Sequence, residues 1–129
     1  MLLSEYLHEI TETVGELAET GLLLSSELTA DFRTKKIGLI KGVLSFSDNS
    51  KLFFREYLDL RYKTERESYS FHYQNQNGGL IFRYDNAAHK PSSSSVFTDH
   101  KHVGEQVVQA EIPNLREVLE EIINDHLTV

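Results

Sequence analysis

At 129 residues, 40% hydrophobic and 26% charged, the chain suits a single domain over residues 1–129 with a real core, and wholesale disorder is excluded. The absence of cysteine excludes disulfides and thiolate metal sites. No apolar run is long enough to span a bilayer, and Met1-Leu2-Leu3-Ser4-Glu5 lacks the basic flank of a signal peptide, so a cytoplasmic protein without membrane contact is expected.

The net charge of −7 is unevenly spread. Residues 1–31 carry −7 and residues 105–129 carry −5, whereas residues 32–104 carry +5 and four of the six histidines. A polyanion would be repelled by the ends and accepted by the middle; charge segregating with secondary structure gives the same pattern.

Leu3, Leu7, Ile10, Val14 and Leu17 alternate spacings of four and three, which predicts a helix over 3–20 with Gly21 as its stop. Its acidic stripe (Glu5, Glu9, Glu12, Glu16, Glu19) is a solvated face or a docking surface for a basic partner. Leu22-Leu23-Leu24 starts a second short helix or a buried connection. Strands over 35–47 and 51–61 join at Asp48-Asn49, a two-residue turn that would set Val43 opposite Phe54, Leu39 opposite Leu58 and Lys41 opposite Glu56.

A second hairpin, 67–75 and 79–86 around Asn77-Gly78, pairs residues whose numbers sum to 155. Phe71, Tyr73, Phe82 and Tyr84 then share a core face, and Ser70, His72, Arg83 and Asp85 share an exposed polar one. Residues 87–104 break the pattern and read as a loop of the functional kind. A fifth strand follows over 106–112, and Asn114 with Glu117 forms a capping box opening the last helix, whose apolar face is Leu115, Leu119, Ile122, Ile123 and Leu127. The expected fold is α+β: an antiparallel sheet of about five strands with the N- and C-terminal helices packed on one face.

The candidate chemistry lies between Arg83 and His102. Arg83 and Asp85 share the polar face, the loop after Asn86 brings His89 and His100-Lys101-His102 near them, and local extension points His100 and His102 the same way. Such a set suits RNA cleavage, because ribose carries its own nucleophile and no metal or other cofactor is needed. Histidines supply base and acid, and Arg83 supplies positive charge for the phosphorane. Asp85, His89, His100 and His102 complete the catalytic set; His72, Lys101 and exposed Tyr62 or Tyr69 complete a substrate-binding set.

Two other readings remain at this point. Asp85, His89, His100 and His102 form a nitrogen–oxygen set that zinc or manganese accepts. Alternatively, Arg83 and Asp85 are a surface ion pair among ordinary surface histidines, as His8 and His126 are read, and the chain is a non-catalytic partner-binding protein. Arg83 and His100, on a polar face or loop, are expected to tolerate truncation.

Phe71-His72-Tyr73, Ile81 to His89 (Ile-Phe-Arg-Tyr-Asp-Asn-Ala-Ala-His) and His100-Lys101-His102-Val103 closely resemble the TumE-like family, toxins of type II toxin–antitoxin pairs. The Lys41–Asp48 hairpin segment and the leucine-rich final helix fit the same order from about residue 35 onward. The resemblance implies a growth-inhibiting toxin, likened to the RelE/HigB class of ribonucleases, that acts on RNA and is held inactive by a helix-turn-helix antitoxin. This sequence departs from the family pattern in Ala88 and Lys90, where Asn-x-Pro-His-His is expected, and in Thr98-Asp99, where Pro-His precedes His100. An acid at 99 would raise neighbouring histidine pKa values.

Overall fold

Leu3, Ile10, Val14 and Leu17 are buried along one stripe of α1 (Leu3–Glu19), as their spacing requires. The helix stops at Gly21, whose φ of 79° a side chain would oppose. The computed structural model describes residues 1–87 and 99–127. Among the described residues seven strands follow α1: β1 (Leu23–Phe32), β2 (Ile37–Phe46), β3 (Lys51–Asp59), β4 (Glu65–Gln74), β5 (Leu80–Asp85), β6 (His100–Val103) and β7 (Gln106–Gln109). They form one antiparallel meander in sequence order, not the expected five strands. The chain closes with α2 (Leu115–Glu121) and a π-helical turn over Ile122–His126.

Strand alternation builds a single core. Ile40 and Leu44 of β2, Leu52, Phe54 and Leu58 of β3, Tyr69, Phe71 and Tyr73 of β4, and Phe82 of β5 face the helices. Leu115, Val118, Leu119 and Ile122 join the same cluster, so both helices cover one face, as expected. Each large apolar side chain withdrawn from water contributes about 1.5–3 kcal/mol, which is what holds the short α2 in place. Asn114 Oδ1 accepts the Glu117 N–H at 2.8 Å while Glu117 Oε1 accepts the Asn114 N–H at 3.1 Å, completing the predicted capping box.

The register of the first hairpin differs from expectation. Its loop has three residues, Ser47-Asp48-Asn49, with Asn49 at φ 67° and the Phe46 N–H donating to the Ser50 carbonyl at 2.9 Å. A type I turn ending in a left-handed residue is the usual three-residue solution, and Asn tolerates that conformation. Val43 therefore faces Phe53, Leu39 faces Tyr57 and Lys41 faces Arg55. One residue of slip moves a whole strand's side chains to the other face. The Lys41–Glu56 pair does not form, because Glu56 points towards the helices.

The first stretch after α1 is also corrected: Leu23–Phe32 is an edge strand, not a helix or buried connection. Only Leu23 and Leu28 of it pack partly against the core. The segment read as loop before Gln106 contains β6, which pairs with β5 through His100, Lys101 and His102 and with β7 through all four residues.

Glu56 is fully buried. Its Oε2 accepts the Tyr6 hydroxyl at 2.5 Å, while Oε1 has no hydrogen-bond partner among the described residues. Burial pushes its carboxyl pKa up against the Tyr6 bond and the Arg66 charge. A carboxyl raised in the folded state favours folding most at acid pH and loses that advantage as pH rises above the unfolded value of about 4.3. Wild type should therefore lose stability relative to Glu56→Gln as pH rises from about 4 through the unfolded value. Urea denaturation of both proteins checks this; a gap independent of pH would contradict it.

Candidate active site

The β4–β5 hairpin turns through Asn75–Gly79, where Gly78 takes φ 84° and Asn75 Oδ1 accepts the N–H groups of Asn77 and Gly79, each at 2.9 Å. Away from the turn the register is the one the sequence predicts: Ser70 opposite Asp85, Phe71 opposite Tyr84, His72 opposite Arg83 and Tyr73 opposite Phe82; beside the turn it shifts by one, and Gln74 pairs with Leu80. β6 then sets His102 opposite Arg83 and His100 opposite Asp85. Two adjacent rows result on the face away from the helices, His72–Arg83–His102 and Ser70–Asp85–His100. Strands lie about 4.8 Å apart, so His72 and His102 flank Arg83 with their backbones roughly 10 Å apart.

Asp85 is the hub. Its Oδ2 accepts Arg83 Nε at 2.8 Å, and its Oδ1 accepts the Ala87 N–H at 3.0 Å and lies 2.7 Å from His100 Nε2. His102 Nε2 lies 3.5 Å from Oδ2, and the two imidazoles meet edge to face at 4.8 Å. Burial alone would raise the Asp85 pKa, but the Arg83 and Ala87 hydrogen bonds and the His100 charge outweigh it, leaving the carboxyl below its ordinary value.

Asp85 and His100 are 4% and 1% exposed, so Asp85 is not on open surface as the sequence suggested. The reason is β6, which lays two imidazoles beside the carboxylate. The side chains of Arg83 and His102 retain 38% and 24% exposure and can meet a ligand. Arg83 Nη1 is 3.4 Å from His72 Nδ1, whose ring is otherwise held by Gln74 Oε1 at 3.2 Å. The ligand atoms of Asp85, His100 and His102 also lie within 4.8 Å of one another, a set able to hold a divalent cation, although Arg83 already compensates the same carboxylate.

A model of the family described as Toxin TumE matches residues 13–128. The chain belongs to the TumE toxin family. Membership implies an antitoxin partner. No curated protein and no solved structure matches the chain. Among the described residues no helix is long and apolar enough to cross a membrane.

The TumE-like stretch is thus divided by the sheet. Arg83, Asp85, His100, His102 and His72 converge; His89 lies outside the described residues, and with it the expectation that it shares their cleft. Lys101 projects to the helix side, where its Nζ donates to Glu121 at 2.8 Å and lies 4.9 Å from the Tyr84 ring centre. Tyr69 is buried, not exposed, and its hydroxyl donates to Asp99 Oδ1 at 2.9 Å. That bond engages Asp99 on the helix side rather than against the histidines. Tyr62 is 91% exposed on the β3–β4 turn, in neither row. Asn86 anchors the ladder end, accepting the Tyr69 N–H and donating to the Glu67 carbonyl.

The sequence reading missed Lys41, Phe53 and Arg55. The two rows continue into them, His72 to Phe53 to Val43 and Ser70 to Arg55 to Lys41. Together with Arg83 and Glu27 they line a groove of about 520 Å³. The three-residue loop is the signal that would have found them, since it alone brings Lys41 and Arg55 opposite each other.

Proposed function

We propose that this TumE-family toxin is an endoribonuclease that cleaves RNA without a metal and is restrained by a helix-turn-helix antitoxin. The observation supporting this most strongly is the row His72–Arg83–His102, a guanidinium flanked by two imidazoles. In-line attack on a phosphodiester needs a base on the 2′-hydroxyl side and an acid on the 5′-oxygen side. One imidazole takes the 2′-hydroxyl proton as that oxygen bonds to phosphorus. The other gives a proton to the departing 5′-oxygen as its bond to phosphorus breaks, leaving a 2′,3′-cyclic phosphate. Arg83 meets the charge on the non-bridging oxygens with the guanidinium edge not held by Asp85. His100, buried against Asp85, positions His102 and Arg83 through their shared carboxylate.

A second reading, a cation held by Asp85, His100 and His102, is favoured by the closeness of their ligand atoms. Expression of the wild-type chain should arrest growth, and the purified protein should cut RNA in excess EDTA. Cleavage abolished by EDTA and restored by zinc or manganese would replace the first reading with the second. Absence of cleavage under both conditions, with antitoxin binding intact, would leave a partner-binding protein.

A further inference from the structure

We infer that the groove beside Arg83 is a track for single-stranded RNA, in which Lys41 and Arg55 hold phosphates and Phe53 supports a base; this rests on the ribonuclease reading and names how its substrate is held. Among the described residues no helix covers the face in question, and Lys41, Phe53 and Arg55 are all exposed on it, Phe53 at 38%. An exposed phenylalanine in mid-strand loses apolar burial, and a base stacked on its ring restores it. The Phe53 ring stands edge to face with His72, 6.1 Å between centres, so the platform abuts the row that contains Arg83 and His102.

Charge fits the same occupant. Lys41 and Arg55 line the groove beside Arg83, whose charge Asp85 meets, and among the described lining residues Glu27 is the one carboxylate, in a chain whose net charge is −7. Such local concentration of positive charge in an acidic protein selects a polyanion at this face and repels it elsewhere. The ring selects among polyanions. A duplex hides its base faces, and an acidic peptide offers no π-face, whereas an unpaired strand presents both phosphates and bases. The track leads to the scissile position without a break, because Phe53 and His72 are opposite each other, as are His72 and Arg83.

The test uses a fluorescent 2′-O-methyl single strand of about twelve nucleotides, within the usual reach of such sites and lacking the nucleophile, so binding is read without cleavage. Anisotropy across a salt series should show Lys41→Gln/Arg55→Gln binding at least about tenfold more weakly at low salt. The magnitude of its log–log salt slope should be smaller by about 1.4, the loss of two phosphate contacts. Phe53→Ser should weaken binding by about 5- to 150-fold with an unchanged slope, because stacking releases no counterions. Phe53→Leu, which keeps the apolar bulk without the ring face, should do likewise if Phe53→Ser fails to fold.

Unchanged affinity and slope in the charge variant would overturn the track, as would equal competition by polyglutamate, which would make the groove a peptide-docking surface. The two readings fail separately. Natural RNA cut normally by a charge variant with wild-type binding leaves the ribonuclease without this track. The binding signatures above, with no cleavage of natural RNA by wild type, leave the track without the ribonuclease.

Discussion

His102→Gln is expected to lower RNA cleavage by about two to four orders of magnitude while leaving the fold nearly as stable as wild type. His102 keeps partial exposure and stands 3.5 Å from Asp85, farther than His100 at 2.7 Å. Glutamine retains a donor for that carboxylate but cannot shuttle a proton at neutral pH. Single-turnover cleavage alongside a denaturation curve separates the two effects. A loss of rate that tracks a loss of folded protein would remove His102 from the chemistry.

His100→Ala should behave in the opposite way, with a stability loss of about 3 kcal/mol and a cleavage defect that follows from it. Its imidazole is buried against Asp85, which is itself 4% exposed. Removing one partner of a buried pair typically costs about 3–5 kcal/mol. The lower end applies because Arg83 and the Ala87 N–H still hold the carboxylate. The expectation that truncation at His100 costs little is thereby reversed.

The acid limb should change as well. A carboxyl depressed on folding contributes stability that is present above its unfolded value of about 3.9 and is lost as pH falls through the folded one. Without His100 that depression shrinks, so the variant should show less acid destabilisation than wild type. Urea midpoints at neutral and acid pH measure both; an unchanged midpoint at neutral pH would contradict the buried-pair assignment.

The parts of this fold that the sequence disclosed are those where hydrocarbon marks the buried side. Asn77-Gly78 and the alternation of Phe71, Tyr73, Phe82 and Tyr84 specified which residues oppose each other from Ser70 to Tyr73, but not the shift beside the turn that pairs Gln74 with Leu80. The same alternation also buries Tyr69, so its place in the core was readable, and its assignment as an exposed platform neglected the period. β1 left little trace, because an edge strand with two partly buried leucines has no apolar rhythm. β6 left none, since its helix-side positions hold Lys101, engaged by Glu121, and the exposed Val103 instead of buried aliphatic side chains.

The first hairpin shows how much depends on one residue. Asp48-Asn49 allows a two- or a three-residue loop, and the choice decides whether Lys41 meets a glutamate or joins Arg55 on the open face. Within the site, strand parity placed Arg83 and Asp85, and local extension within a segment read as loop set His100 and His102 on one side; the sheet brings the four together. Their division into exposed and buried members was not legible, because it depends on packing between strands distant in sequence. Lys101 follows the same parity to the other side, where Glu121 and two aromatic rings hold it.

The most direct test of the central claim is the chemistry of the cut end, read on an RNA and on the same strand carrying a single 2′-deoxyribose at the cleaved position, both in excess EDTA. Attack by the 2′-hydroxyl predicts a 2′,3′-cyclic phosphate from the first strand and no cut at that position in the second. Cleavage of the deoxy-substituted strand there, or products ending in a 3′-hydroxyl, would contradict it.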